Sequence, residues 1–264
     1  MRILFLGDIV GRPGYMAVTE RLSEIRDQES VDFIVANAEN AADGSGLTVR
    51  QFRGLVAAGV DVITMGDHVY RKLELKPVLE TDPRIVKPAN YPDAAPGRPW
   101  TVVRSRSGVP VAVLSLMGRV FMRPVDCPFQ AADRYLAEIP AEVKVRIVDV
   151  HAEATSDKQT LARYLDGRVT AVLGTHTHVP TADAGLLAGG TAYQTDVGMT
   201  GPYDGVIGRA FDRVLATTVT FEPTHFHVAT GDVRICGALV DVDPETGLAT
   251  AIRRYERAEP GPAE

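Results

Sequence analysis

Cysteine, tryptophan and basic charge are all scarce in this chain of 264 residues. It holds 2 cysteines and 1 tryptophan, and its 28 lysines and arginines face 34 aspartates and glutamates, a formal net charge of −6. Cys127 and Cys236 lie far apart in no ligand-like spacing, which argues against a disulfide scaffold and points to thiols of a reducing compartment. The acidic balance leaves no basic footprint for an extended nucleic-acid surface. A small anionic substrate stays compatible with it, because a bound cation can supply positive charge locally. No apolar run approaches the length of a bilayer span, and the opening MRILFLGDIVG breaks at Gly7-Asp8 before a signal-peptide core develops. The expectation is a cytoplasmic protein with no membrane partner.

What is present is an ordinary globular composition, 45% apolar, enough for a sizeable core. Short apolar runs alternate with amphipathic segments. RILFL (2–6), DFIVAN (32–37) and DVITM (61–65) read as buried strands. Gly14 to Asp27 and Thr48 to Ala58 read as helices between them, the second with Thr48 as N-cap and Gln51 completing a capping box. Such alternation implies right-handed crossovers and a parallel sheet. WTVVRS (100–105) and VPVAVLSL (109–116) read as neighbouring strands joined by an Arg-Ser-Gly turn. VKVRIVDVHA (143–152), a helix over 156–165 and VTAVLGTH (169–176) restore the βαβ rhythm. TAYQTD, VLATTVTF, FHVAT and ICGALVDV give a strand-rich last third. The reading is a single α/β domain over 1–256 with a polar tail at 257–264.

The residues just beyond the strands carry the chemistry. They are Asp8; Glu39 and Asn40; Asp67 and His68; His151; and the pair His176 and His178. Ligands of α/β sheets bind past the carboxyl ends of the strands, where these groups would converge. Each alone has an ordinary explanation: Asp8 as a cap, Glu39-Asn40 as a polar turn, Asp67 as a surface turn, His151 as a hydrogen-bonded core histidine. Together, carboxylates, an amide oxygen and imidazoles make a donor set suited to Mn, Fe, Zn or Mg. One metal takes three or four protein ligands, so the seven candidates besides His68 point to two metals with Glu39 or another carboxylate bridging. His176 and His178, two apart on an extended segment, would point the same way into a shared site.

GDIVG (7–11), NAEN (37–40), GDH (66–68), DVHAEATSDK (149–158), GTHTHVPTAD (174–183) and DVGMTGPYDGVIG (196–208) closely resemble the YmdB-type branch of the calcineurin-like metallophosphoesterases. The resemblance runs through almost the whole chain and is weakest near 92–108 and in the tail. It implies a four-layer α/β/β/α sandwich and a dinuclear centre of divalent ions, with Mn or Fe expected before Mg or Zn. It also implies phosphodiesterase activity on 2′,3′- or 3′,5′-cyclic nucleotides, and a homo-oligomer. By the same resemblance Asp8, Glu39, Asn40 and His178 hold the first metal, Glu39 bridges, and residue 67 with His151 and His176 holds the second. His68 would sit beside the phosphate as the catalytic donor. The branch lacks the usual histidine two after the first aspartate (Val10 here), a gap Asn40 would fill.

One position departs from the pattern: Asp67 stands where the branch usually has asparagine. Its carboxylate can replace an amide oxygen as a ligand, while the added charge lowers the Lewis acidity of the cation it holds. The expected reaction is in-line attack by a metal-activated hydroxide on a small phosphodiester. The alternatives are a phosphomonoesterase or RNase using the same centre, or a regulatory or scaffold protein with a weakly active site, a reading that Asp67 keeps open. Arg119, Phe121 and Arg123 read as a solvated loop or a pocket lining. Tyr203 and Asp204 read as neighbours of the site or as dimer contacts.

Overall fold

A computed structural model describes residues 1–259. In chain order the first elements are β1 (Arg2–Leu6), β2 (Asp8–Ile9), α1 (Gly11–Gln28), β3 (Phe33–Asn37), α2 (Val49–Ala58), β4 (Val62–Thr64), a 3-10 turn (Leu73–Leu75), α3 (Lys76–Thr81) and β5 (Ile85–Val86). Then come β6 (Trp100–Arg104), β7 (Pro110–Met117), α4 (Pro128–Glu138), β8 (Val145–His151), α5 (Thr155–Leu165), β9 (Ala171–Thr175), β10 (Gly185–Leu186) and β11 (Ala192–Gln194). The last are β12 (Met199–Pro202), α6 (Phe211–Thr220), β13 (Val233–Val242) and β14 (Ala249–Ala258).

The strands form an eight-stranded sheet, ordered β2-β12-β13-β1-β3-β4-β5 with β14 along β13, and a six-stranded sheet, ordered β10-β11-β9-β8-β7-β6. Residue alternation on β1 shows how the layers arise. Ile3 and Phe5 face the second sheet and pack with Val111, Val113, Ile147 and Leu173. Leu4 and Leu6 face the other way, onto Val18, Leu22 and Ile25 of α1 and Leu55 of α2. Side chains of a strand alternate faces, so a strand apolar at every position must be covered on both. The outer face of the second sheet, with Leu114, Leu116, Val148 and Val150, is covered by Tyr135 and Leu136 of α4 and Leu161 and Leu165 of α5. Three apolar interfaces therefore stack four layers, helix–sheet–sheet–helix, and the chain has the expected α/β/β/α architecture.

Local signals account for several boundaries. Thr48 accepts the Gln51 N–H while Gln51 receives the Thr48 N–H, a complete capping box. Gly59 closes α2 at φ 110°, in the left-handed region that glycine adopts without penalty. α1 begins three residues before the expected Gly14, since Pro13 sits in the first turn, where a missing N–H is no loss.

Three expectations are corrected. VLATTVTF is not a strand: residues 211–220 form α6, with no buried residue. Its β-branched residues favour strands only where a pleated, half-buried surface receives them. None is available here, so the backbone pairs with itself. FHVAT contributes only a single bridge from Val228 to Arg209. β14 runs on to Ala258 against β13, so Arg257 and Ala258 belong to the sheet rather than to a tail. Residues 260–264 of the expected tail lie outside the described residues.

The capping box gives a direct check on the local reading. Thr48→Ala removes the side-chain acceptor and is expected to lower unfolding stability by about 1 kcal/mol in a urea titration, leaving the m-value unchanged.

Candidate metal centre

All the residues picked out at strand ends come to one edge of the two sheets. Asp8 lies on β2; Glu39 and Asn40 follow β3, and Asp67 and His68 follow β4. From the facing sheet, His151 ends β8, and His176 and His178 follow β9. Glu39, Asp67, His151 and His176 each offer a ligand atom, all within 4.8 Å of one another, so this quartet could hold a metal ion. Asp8, Asn40 and His178 form an adjoining group. Asp8 Oδ1 stands 3.7 Å from His178 Nε2, and Asn40 Nδ2 stands 3.4 Å from Asp8 Oδ1 and 3.3 Å from His178 Nε2.

Glu39 joins the two groups. Its side chain is 0% exposed, and Oε1 lies 3.3 Å from His151 Nε2, 3.2 Å from His68 Nδ1 and 3.3 Å from Asn40 Nδ2. Its other oxygen accepts the His68 backbone N–H at 3.0 Å. Burial works to raise its pKa, but the facing His151 and His68 outweigh that and hold it well below the usual carboxylate range. Asp8 follows the same pattern: burial opposes ionisation, His178 overcomes it, and the carboxyl lies at about 2. The site is a set of ionised carboxylates and imidazoles gathered where an isolated carboxylate would be costly.

The donor set suits a divalent cation on a further ground. Gly66 precedes Asp67 against the ring of His151 and the carboxylate of Glu39, where a Cβ would collide with both. Only a residue without a side chain lets β4 deliver Asp67 this close to the other ligands. The tautomers also suit metal binding. His151 Nδ1 sits 2.8 Å from Thr175 Oγ1, whose hydroxyl donates at 2.7 Å to Asp149 Oδ1, so His151 Nε2 faces the quartet. His178 Nδ1 donates to the Ile207 carbonyl at 3.0 Å and turns Nε2 to Asp8. His176 places Nε2 3.3 Å from Glu153 and directs Nδ1 to the quartet, 3.7 Å from Asp67 Oδ1. Asn40, as placed, turns its Nδ2 to the carboxylates and its Oδ1 to His68 Nδ1 at 2.8 Å. A half-turn of the amide exchanges the two.

The expectation of an extended His176-Thr177-His178 segment is overturned. His176 has φ 91° and His178 φ 65°, both left-handed, a conformation that non-glycine residues adopt at a cost. Neighbours hold every residue of the turn. Asp8 Oδ2 accepts the His176 N–H at 3.0 Å, and Asp196 accepts the Thr177 N–H at 3.1 Å and its hydroxyl at 2.6 Å. Asp196 and its partner Lys158 are both buried, 2.8 Å apart. The twisted backbone sends one imidazole to each group of ligands, which an extended chain at this spacing would not do.

Several of these supports had no place in the strand-end reading. Asp149 had a legible signal: it lies two before His151 on the same strand, hence on the same face. Burial pushes its carboxyl up to about 6, against donors from Thr64, Thr175 and Asn37. Asp196, following β11, was another strand-end acid. Lys158, one lysine on an amphipathic helix, carried no signal. Arg209 also lines the site's cavity of about 360 Å³, alongside Glu39, Asn40, His68, His176 and His178. It donates to the backbone carbonyls of Asp43 and Gly44. Arg119, Phe121, Arg123, Tyr203 and Asp204 are not among the residues lining it. Tyr203 instead donates to the Met199 carbonyl.

The buried ion pair beneath the turn yields a stability test. Lys158→Met leaves Asp196 buried without its cation and is expected to cost about 3 kcal/mol in chemical denaturation. Adding Asp196→Asn to that variant recovers most of the loss.

The chain is similar to known proteins along nearly its whole length. A family model described as YmdB-like protein matches residues 4–255. A 2′,3′-cyclic-nucleotide 2′-phosphodiesterase of Bacillus subtilis (strain 168) is 44% identical over 254 residues, covering 96% of this chain and 96% of that protein. A putative phosphatase/phosphodiesterase of Mycoplasma genitalium is 32% identical over 265 residues, 96% of this chain and 92% of its own. Among solved structures, a hypothetical protein from Thermus thermophilus superposes with a TM-score of 0.92 at 45% identity, over 98% of this chain and 100% of that one. A phosphatase from Mycoplasma pneumoniae gives a TM-score of 0.91 at 30% identity, over 99% of this chain and 95% of that one.

Proposed function

Because the chain belongs to the YmdB-like protein family, we propose that it is a metal-dependent phosphodiesterase acting on small phosphodiesters, with 2′,3′- and 3′,5′-cyclic nucleotides as the substrate class. The observation that carries this reading is the convergence of Glu39, Asp67, His151 and His176 within 4.8 Å of one another, joined through Glu39 to Asp8, Asn40 and His178. Two cations fit this division. Glu39, Asp8, Asn40 and His178 would hold one; Glu39, Asp67, His151 and His176 the other. The oxygen-rich donor set with imidazoles favours Mn or Fe, with Mg or Zn as the other candidates. Bound there, divalent ions supply charge neutralisation to the phosphoryl oxygens and acidify water.

The chain's own residues supply position and protons. Arg209 brings the cavity a guanidinium paired, among the described residues, only with backbone carbonyls, and able to meet an anionic substrate. His68 Nδ1 lies 3.2 Å from Glu39 Oε1, which leaves Nε2 as its remaining donor. Burial opposes its protonation, but Glu39 raises its pKa above the ordinary value, as a donor to a leaving oxygen requires. The cavity is bounded by Val10 and Ile207 as well as by polar groups, a size and lining suited to a small substrate rather than a polymer. Cytoplasmic location and a homo-oligomeric state complete the proposal. Two free thiols, Cys127 and Cys236, support the first. Among the described residues, no helix is long and apolar enough to cross a membrane.

A second reading, a regulatory protein with a weakly active site, draws on Asp67. Its carboxylate lies 3.3 Å from His151 Nε2 and 3.6 Å from His68 Nε2, adding negative charge where an amide would add none.

Two measurements test the pair. Protein stripped of metal and reloaded with Mn²⁺ is expected to hydrolyse 2′,3′-cyclic AMP, with turnover lost on His176→Ala. No turnover at full metal loading would move the weight to the regulatory reading. Asp67→Asn is expected to raise turnover about tenfold, a barrier roughly 1.4 kcal/mol lower, while weakening metal retention in a chelator competition. Lower turnover would mean that the site is built around the carboxylate.

A further inference from the structure

A second cavity, of about 420 Å³, opens at the opposite end of β8 and β9 from the metal centre. β8 runs from this cavity, at Arg146, to the metal centre, at His151. Five residue steps of strand separate them, roughly 16 Å at the usual rise. The two sites therefore share no residue.

Three cations border the cavity: Lys144, Arg146 and Arg168. Asp133 is the one carboxylate in its lining, and both of its oxygens are engaged. Oδ1 accepts from Arg168 at 2.6 Å and Oδ2 from the Tyr164 hydroxyl at 2.5 Å. Arg146 is half-buried, and its Nε donates to the Val143 carbonyl at 3.0 Å. Among the described residues, neither Arg146 nor Lys144 forms an ion pair, and no acceptor meets the terminal nitrogens of Arg146. Burial and the neighbouring Arg168 both push the Arg146 guanidinium below its ordinary value. Like charges held together at a partly desolvated position are unfavourable unless an anion joins them. Leu136, Ala137, Val169 and Leu248 add apolar wall, and Gly167, Thr246 and Gly247 complete the lining.

We propose that this cavity is a binding site for a phosphate monoester carrying an apolar or ring-bearing body, separate from the metal centre. The phosphate class follows from charge. One of the three cations is balanced by Asp133, leaving two, which a dianion matches and a monocarboxylate does not. Arg146 offers the forked donors that phosphate oxygens accept in pairs, and Lys144 adds a point charge at the rim. The volume exceeds what phosphate alone fills and falls in the range of small-metabolite sites, so the apolar walls would receive the rest of the ligand.

The test is equilibrium binding of adenosine 5′-monophosphate to the full chain, with and without EDTA. The expected result is one saturable site that survives EDTA and is unchanged in His176→Ala. Arg146→Gln is expected to weaken it about tenfold, adenosine not to bind, and inorganic phosphate to bind the same site more weakly. Binding that vanishes with EDTA and ignores Arg146→Gln would assign the ligand to the metal centre and overturn the proposal, as would no binding at all. If Arg146→Gln lowers the melting temperature, Lys144→Ala decides, since its side chain is exposed. A weakened site in that variant supports the proposal, and full affinity overturns it. None of these outcomes depends on whether the metal centre hydrolyses cyclic nucleotides.

Discussion

The carboxylate of Glu39 organises this molecule. It is fully buried between the two sheets' carboxyl ends, ionised, and in contact with histidines from both. A charge in that position is tolerated only when surrounding groups repay its lost hydration. His151 arrives from one sheet and His68 from the other, so the repayment requires the sheets to be stacked in one register. Conversely, the apolar faces of β1, β3, β7 and β8 fix that register, and so fix the distance across which Glu39 meets its partners. Core and site are two consequences of one packing.

Around that carboxylate the site is held from below as much as from within. The left-handed His176 and His178 store strain that Asp8, Asp196 and the Ile207 carbonyl offset. His151 is oriented through Thr175 by Asp149, a carboxyl seated between the sheets. Asp8, Asp149 and Thr175 lie on strands, which is how ligand atoms are kept within the small tolerances that metal chemistry needs. The basic cavity at the far end of the same strands shows the opposite economy: charges left exposed to one another, with no carboxylate to spare.

Legibility in the sequence followed the range of the interaction. The capping box at Thr48 and Gln51 is a contact three residues long, and it was readable and correct. The buried strands were readable because alternating burial on two faces leaves an unbroken apolar run. VLATTVTF misled, since β-branched residues report a preference that only a neighbouring strand can realise. The His-x-His pair was identifiable as a site feature, yet its geometry was not. Spacing on an extended chain sends both rings one way, whereas acceptors from residues 8, 196 and 207 impose a twist that sends them apart.

The sequence by itself determined the buried strands and the capped helix over 48–58, that polar groups gather at strand ends, and that their types suit a divalent cation. It also carried motifs long enough to identify the family. The resemblance also anticipated a division of those ligands about Glu39; only the tertiary structure decided the left-handed turn that sends His176 and His178 apart. The same holds for the burial of Lys158 and Asp196 as a pair beneath the histidines, and for the unmatched arginine at the far end of β8. These partners lie tens to more than a hundred residues apart. No local pattern encodes such a meeting, because it is set by which sheet faces pack together and at what register.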